Sequence, residues 1–236
     1  MPDEASTPTA AHELAEAVAG LAATLRFHRD LGVKDLPLEG RYLLEPDDAL
    51  RAQEAALQGC RRCKLCEGRA TIVFGAGNPR ADLLVIGEGP GADEDAQGLP
   101  FVGRAGQLLT RMLAARGVGF TRDEVYVTNA VKCRPPGNRN PEAEELATCA
   151  PFLAAQLRAI QPKVVLALGS VATQALLRTR EPIGKLRGRV HPFGAAVLIP
   201  TFHPAFLLRN PGDEYKRMAW DDLKLARREY DSRRAR

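Results

Sequence analysis

The stretch "DLLVIG", residues 82–87, runs directly into "EGPGADED", residues 88–95. A short apolar run closed by a glycine-rich turn reads as a strand buried on both faces. The pattern returns in "EVYVTNAV" (124–131), "KVVLALG" (163–169) and "AAVLIPTF" (195–202). Helical patterns separate these runs: "RAGQLLTRMLAARG" (104–117), a segment over 141–160 with Pro141 in its first turn, "SVATQALL" (170–177) capped by Ser170, and a last helix over 215–230. Strand and helix in alternation predict an α/β fold with a central parallel sheet covered by helices on both sides. In such sheets the ligand site lies beyond the carboxyl ends of the strands. Here those ends are followed by "GEGPGADED", "TNAVKC", "GS" and "TFHPAFLLR".

Upstream of the sheet the chain reads as an N-terminal helical extension and linker over residues 1–50, with the main domain at 51–236. Residues 1–8 read as an unstructured start. Leu14, Val18, Leu21 and Leu25 then mark one helix face, and residues 46–58 form another short helix with Asp47 or Asp48 as cap. The chain has 236 residues and a net charge of +4, too mild to indicate nucleic acid by itself, although arginines gather in "RPPGNR", "KLRGR" and the tail. No apolar run approaches a membrane span and no secretory leader is legible, so a cytoplasmic location without membrane contact is expected, as a monomer.

The glycine turn fits neither familiar phosphate cradle. Gly87, Gly89 and Gly91 break the G-x-G-x-x-G spacing, Asp93, Glu94 and Asp95 would repel a pyrophosphate, and no Lys-Ser or Lys-Thr pair follows. A nucleotide-dependent enzyme is disfavoured on that ground. The bland reading is a turn with solvated acids.

Five cysteines, Cys60, Cys63, Cys66, Cys133 and Cys149, are too many and too oddly numbered for a disulfide framework in such a chain. Three sit at C-x2-C spacing, whereas Cys133 follows a strand and Cys149, separated from it by fifteen residues, lies in a helix. Thiolates drawn from such distant points suit a cubane iron–sulfur cluster, with zinc as the alternative, and spacing does not choose between Cys63 and Cys66. His203 follows the last strand and precedes Pro204. Leu207 and Leu208 either bury in the core or form an apolar wedge for a base stack. Asn129 ends a strand, as a turn former or as an amide that reads a pyrimidine edge, and Phe101 lies in a loop as core plug or stacking ring. His12, His28 and His191 lie outside this ring of strand ends and read as structural.

Taken together, "CRRC", "GEGPGADED", "LPFVGRAGQLL", "VTNAVKCRPPGNRNP", "LGSVA", "KLRGR" and "HPAFLLRNP" occur in the order found in the family 4 uracil-DNA glycosylases, and from Cys60 to the final helix the chain resembles that iron–sulfur branch of the superfamily. The resemblance implies a single α/β domain with a central four-stranded parallel sheet, a 4Fe–4S cluster on Cys60, Cys63, Cys133 and Cys149, and hydrolysis of the N-glycosidic bond of uracil in single- or double-stranded DNA. It implies Glu88 and His203 as catalytic residues, and Gly89, Glu94, Phe101 and Asn129 as the base site. Leu207 would be the wedge, and Arg209, Lys185 and Arg187 the DNA contacts. Glu94 is expected to fill the space beside Gly91, where better-known relatives place a tyrosine against the thymine methyl. The chain departs from the family in its extra Cys66, in Phe206 where tyrosine is common, and in residues 1 to about 50. No histidine lies between Cys133 and Cys149, which disfavours the activity of a relative that traps DNA covalently. The rival reading is a cluster-stabilised protein that recognises uracil or abasic DNA without catalysis.

Overall fold

A computed structural model describes residues 45–234 and, before them, Val18 alone. The chain divides into two compact units, Met1–Leu43 and Leu44–Arg236. The helix expected around residues 11–29 lies outside the described residues.

The second unit is built on the four runs named above. They form β2 (Leu83–Gly87), β3 (Val125–Asn129), β4 (Val164–Leu168) and β6 (Ala196–Thr201), mutually parallel. Two short antiparallel edges, β1 (Ala76–Gly77) and β5 (His191–Phe193), extend the sheet to six strands in the order β1-β3-β2-β4-β6-β5. The four-stranded expectation therefore holds for the parallel centre and misses both rims.

Alternate residues of each central strand feed two cores. Leu84, Ile86, Val165 and Leu198 face α1 (Pro46–Leu57) and α4 (Ala143–Ile160), where Leu57 and Leu153 pack. Leu83, Val85, Val127 and Leu166 face α3 (Arg104–Leu113) and α8 (Asp213–Arg234), where Leu109 and Leu223 pack. Each such leucine, fully buried, contributes about 1.5–3 kcal/mol. Among the described residues no helix is long and apolar enough to cross a membrane.

The helix ends differ from expectation in instructive ways. Helix α1 begins at Pro46 behind Glu45, so neither Asp47 nor Asp48 caps it; both lie in its first turn. Helix α4 begins at Ala143, with Glu142 as cap and Glu145 reaching back to its backbone N–H at 2.7 Å. Pro141 stays outside. Helix α5 (Gly169–Leu177) starts directly off β4, so Ser170 lies inside it rather than at its cap. Helix α3 stops four residues short of Gly117. Three helices escaped the sequence reading altogether: α2 (Ala92–Gln97), α6 (Ile183–Leu186) and α7 (Pro204–Arg209).

Candidate active site

Register brings the site together. Gly87 pairs with Asn129 across β2 and β3, and Leu168 pairs with Thr201 across β4 and β6. The four carboxyl ends open on a cavity of about 380 Å³, within the usual range for a small-ligand site. Glu88, Gly89, Phe101, Asn129, His203 and Arg209 all line it.

Asn129 is 1% exposed, and among the described residues its side-chain oxygen has no hydrogen-bond partner. Gly87 makes that placement possible. A Cβ there would collide with the Asn129 oxygen, and would sit 2.5 Å from the Phe101 ring. Phe101 itself is left-handed, with φ of 56°, a conformation that costs a non-glycine residue about 1–2 kcal/mol. Its neighbours hold it there. The Glu94 carboxylate accepts from the backbone N–H groups of Val102 and Gly103, both at 2.9 Å, and of Gly91 at 3.0 Å. Arg122 donates to the Pro100 carbonyl at 3.1 Å, and the absent side chain of Gly106 leaves room for the Phe101 carbonyl. The ring is thereby fixed 5.8 Å from the His203 imidazole, tilted by 32°.

The three acids of "GEGPGADED" thus separate. Asp93 is exposed at the start of α2. Glu94 lies 2.7 Å from where a Gly91 Cβ would be. Asp95 accepts from the backbone of Ala70 and Thr71 and anchors the segment after the cysteine cluster. Gly89 has its own constraint, since a Cβ there would meet Val131 at 2.9 Å.

His203 caps α7: its Nδ1 accepts from the Ala205 N–H at 3.1 Å. That bond leaves the proton on Nε2. Burial, helped by the nearby Arg209 charge, pushes the imidazole down to about 4, so it is a neutral donor at pH 7. Burial raises Glu88 above the ordinary carboxyl range, and Arg209 partly opposes this.

Two expected DNA contacts lie elsewhere than the sequence suggested. Arg187 makes a two-pronged ion pair with the fully buried Asp222, at 2.9 and 2.7 Å, and donates to the Met218 carbonyl at 2.6 Å. Its guanidinium braces α8, while Lys185 stays exposed on α6. Leu207 is 5% exposed and packs with Phe202 and Ala219, because α7 turns it inward; Leu208, 37% exposed, points to solvent. Leu208, not Leu207, is therefore the leucine free to meet a partner. Leu208→Ala should leave the Tm unchanged, whereas Leu207→Ala should cost about 2–5 kcal/mol of stability. Thermal melts of the two variants check this, and equal losses of Tm would refute it.

The cysteines gather on the other side of β3. Cys133 and Cys149 are buried in one core, and Cys60 and Cys63 pack against it. Burial pushes the Cys133 thiol up to about 11, with smaller contributions from Cys149 and Cys63; Cys149 is raised by burial, then by Cys63 and Cys60. A donor faces the set: Arg69 reaches the Cys133 sulfur at 3.3 Å. Among the described residues no three His, Cys, Asp or Glu side chains converge on a single ion. One zinc would draw four sulfurs to about 2.3 Å from a common centre. Cys133 and Cys149 are buried and Cys60 and Cys63 half-buried, an all-thiol donor set of the kind that holds either zinc or an iron–sulfur cluster. Cys66 lies on the short turn Lys64–Cys66 that follows Cys63.

Lys132 was not legible as part of this arrangement. It is fully buried, burial lowers it to about 7, and its ammonium donates to Thr128 Oγ1, the Asn129 carbonyl and Gln156 Oε1 at 2.6, 2.8 and 2.6 Å. It joins the strand end that carries Asn129 to the cysteine side. The only signal was a lysine inside the apolar context "NAVKC".

A family model described as the uracil DNA glycosylase superfamily matches residues 74–224. The chain is 45% identical over 170 residues to a type-4 uracil-DNA glycosylase of Thermotoga maritima, covering 71% of this chain and 88% of that one. It is 44% identical over 160 residues to the type-4 enzyme of Saccharolobus solfataricus, covering 64% and 74%. A type-5 uracil-DNA glycosylase of Thermus thermophilus matches at 33% over 174 residues, covering 60% and 77%. With strand-end residues gathered on one cavity, and a family match spanning every strand of the sheet, the chain belongs to the uracil-DNA glycosylase superfamily.

Proposed function

We infer that the protein excises uracil from DNA by hydrolysing its N-glycosidic bond and leaves an abasic site. One observation carries the reading beyond family membership: the buried, unpartnered oxygen of Asn129 in a cavity walled by a preset aromatic ring. A buried acceptor left unpaired costs about 1–3 kcal/mol, which a ligand donor recovers. Uracil N3–H is such a donor, and the Asn129 amide N–H would in turn serve uracil O4. Cytosine inverts both partners, so it leaves two mismatched groups.

The target base is unreachable inside a duplex and must be extruded. Phe101 then stacks on it. As the N1–C1′ bond breaks, its electron pair departs with uracil, and negative charge gathers on O2. The neutral His203 Nε2–H and the Gly89 backbone N–H are donors for that oxygen. A water oxygen bonds to C1′ and gives its proton to Glu88, whose raised pKa suits a base formed only on ionisation. Arg209 stands beside both groups and is placed to meet a phosphate.

We propose further that Cys60, Cys63, Cys133 and Cys149 hold a 4Fe–4S cluster, supported by their gathering at one core and by the Arg69 donor at Cys133. When bound it would tie α1, β3 and α4 together; the hydrolysis itself transfers no electrons.

The test is incubation with a uracil-containing oligonucleotide followed by alkali. Strand scission at uracil is expected, and binding without scission in every context would leave only the non-catalytic reading. Glu94 supplies a sharper check. Glu94→Ala removes the carboxylate beside Gly91, so thymine release from a G·T mismatch should appear. Its disadvantage relative to uracil should shrink by about tenfold or more, the weight of one methyl group in a fitted site. Complete absence of thymine release would show that something else excludes the methyl.

A further inference from the structure

A second cavity of about 530 Å³ adjoins the base site, and Glu88, Asn140, His203 and Arg209 line both. Its far wall is unlike the first. Phe202 and Phe206 stack with centroids 5.1 Å apart, and Tyr215 stands edge-on to both at 5.5 and 5.1 Å. Ile183 and Met218 complete an apolar floor, yet Tyr215 is 36% exposed. Arg187 lies beneath, 5.3 Å from the Phe202 ring, with its charge spent on Asp222. A shelf of one exposed tyrosine over a packed phenylalanine pair, with a cation at its entrance, resembles the arrangement with which proteins hold unpaired nucleotides.

We propose that this shelf is a second base subsite, which takes the unpaired nucleobase next to the flipped uridine in single-stranded DNA. The inference rests on the uracil-excising reading and adds a substrate form to it. Continuity argues for the occupant: the two cavities share Glu88, Asn140, His203 and Arg209, so a strand whose uracil fills the first can continue across that wall into the second. In a duplex the neighbouring base stays paired and stacked, and the shelf stays empty. In a single strand nothing holds that base, and Tyr215 and Phe206 offer it ring faces and edges.

The experiment compares wild type with Tyr215→Ala on a single-stranded uracil oligonucleotide, on the same sequence as duplex, and on single strands with an abasic spacer directly 5′ or 3′ of the uridine. Tyr215→Ala is expected to raise KM on the plain single strand about tenfold. Its duplex kinetics should stay within about twofold, which also controls for folding. In wild type the spacer on one side should reproduce the rise, and combining spacer with variant should add nothing, as for two ends of one contact. Equal losses on single strand and duplex, additive losses, or duplex cleavage without single-strand cleavage would each overturn the subsite and leave the glycosylase reading intact. Release from neither form would overturn that reading, and the subsite with it.

Discussion

His203→Ala should lower kcat by about 10²–10³-fold, the usual cost of removing one donor to a developing anion. The structure makes the donor unusually well defined. Nδ1 is committed to the Ala205 N–H, so only Nε2 faces the cavity, and burial keeps the ring neutral down to about pH 4. Two consequences separate this role from that of a charged acid. The loss should be flat from pH 8 to pH 6, because an imidazole already neutral has nothing to titrate there. The acid limb of the wild-type profile should instead follow Glu88: its raised pKa means that ionisation, and with it activity, is lost as pH falls through a range above that of an ordinary carboxyl. The same sign governs stability. His203 takes up a proton more readily unfolded than folded, so its burial costs stability progressively as pH drops below its ordinary value. Asn129→Ala should lose about 10²–10⁴-fold in kcat/KM, since two hydrogen bonds to a base that becomes anionic disappear together. Visible absorption and Tm, measured on the same samples, should match wild type. An activity loss below about tenfold in either variant would remove that residue from the site.

Much of this was readable from residue order. The four parallel strands declare themselves because each is buried on both faces, and a strand with no polar face leaves an uninterrupted apolar run. Their carboxyl ends then name the neighbourhood of Glu88, Asn129 and His203. What was hidden depends on distant partners. Strand β1 has two residues, one of them glycine, and β5 has three with a proline; neither carries a pattern apart from the neighbour it pairs with. Helix α7 was concealed by Pro204, which reads as a restriction on His203 but acts as a helix-starting residue with His203 as cap. That one turn decides which leucine faces solvent. Arg187 looked like a phosphate ligand because Asp222, its partner, lies thirty-five residues away. His191, read as structural, does hydrogen-bond the Leu186 carbonyl at 2.8 Å, whereas His12 and His28 lie outside the described residues.

On the proposed cluster, Cys133→Ala should abolish the visible absorption and most of the soluble fold, where His203→Ala spares both. The reason is where the four thiols come from. Cys60 and Cys63 follow α1, Cys133 follows β3, and Cys149 lies in α4, so a shared cluster closes long loops that packing alone must otherwise hold. A structural metal centre can contribute about 10–16 kcal/mol of binding energy to folding, as much as a whole domain's net stability of about 5–15 kcal/mol. Removing one ligand forfeits most of it. The variant's site is also poor in itself: the Cys149 thiol stays desolvated, and Arg69 faces an empty position instead of the Cys133 sulfur. Cys66→Ser is the matched control, and it should keep iron, sulfide and Tm, because Cys66 sits on the turn beyond the four. Iron and acid-labile sulfide per chain, the visible spectrum and a thermal melt decide between the outcomes. Zinc in place of iron would keep the scaffold role and change its chemistry. Wild-type metal content and Tm in Cys133→Ala would show that the gathered thiols are only core packing, and the stability of this sheet would then have to come from its two apolar faces alone.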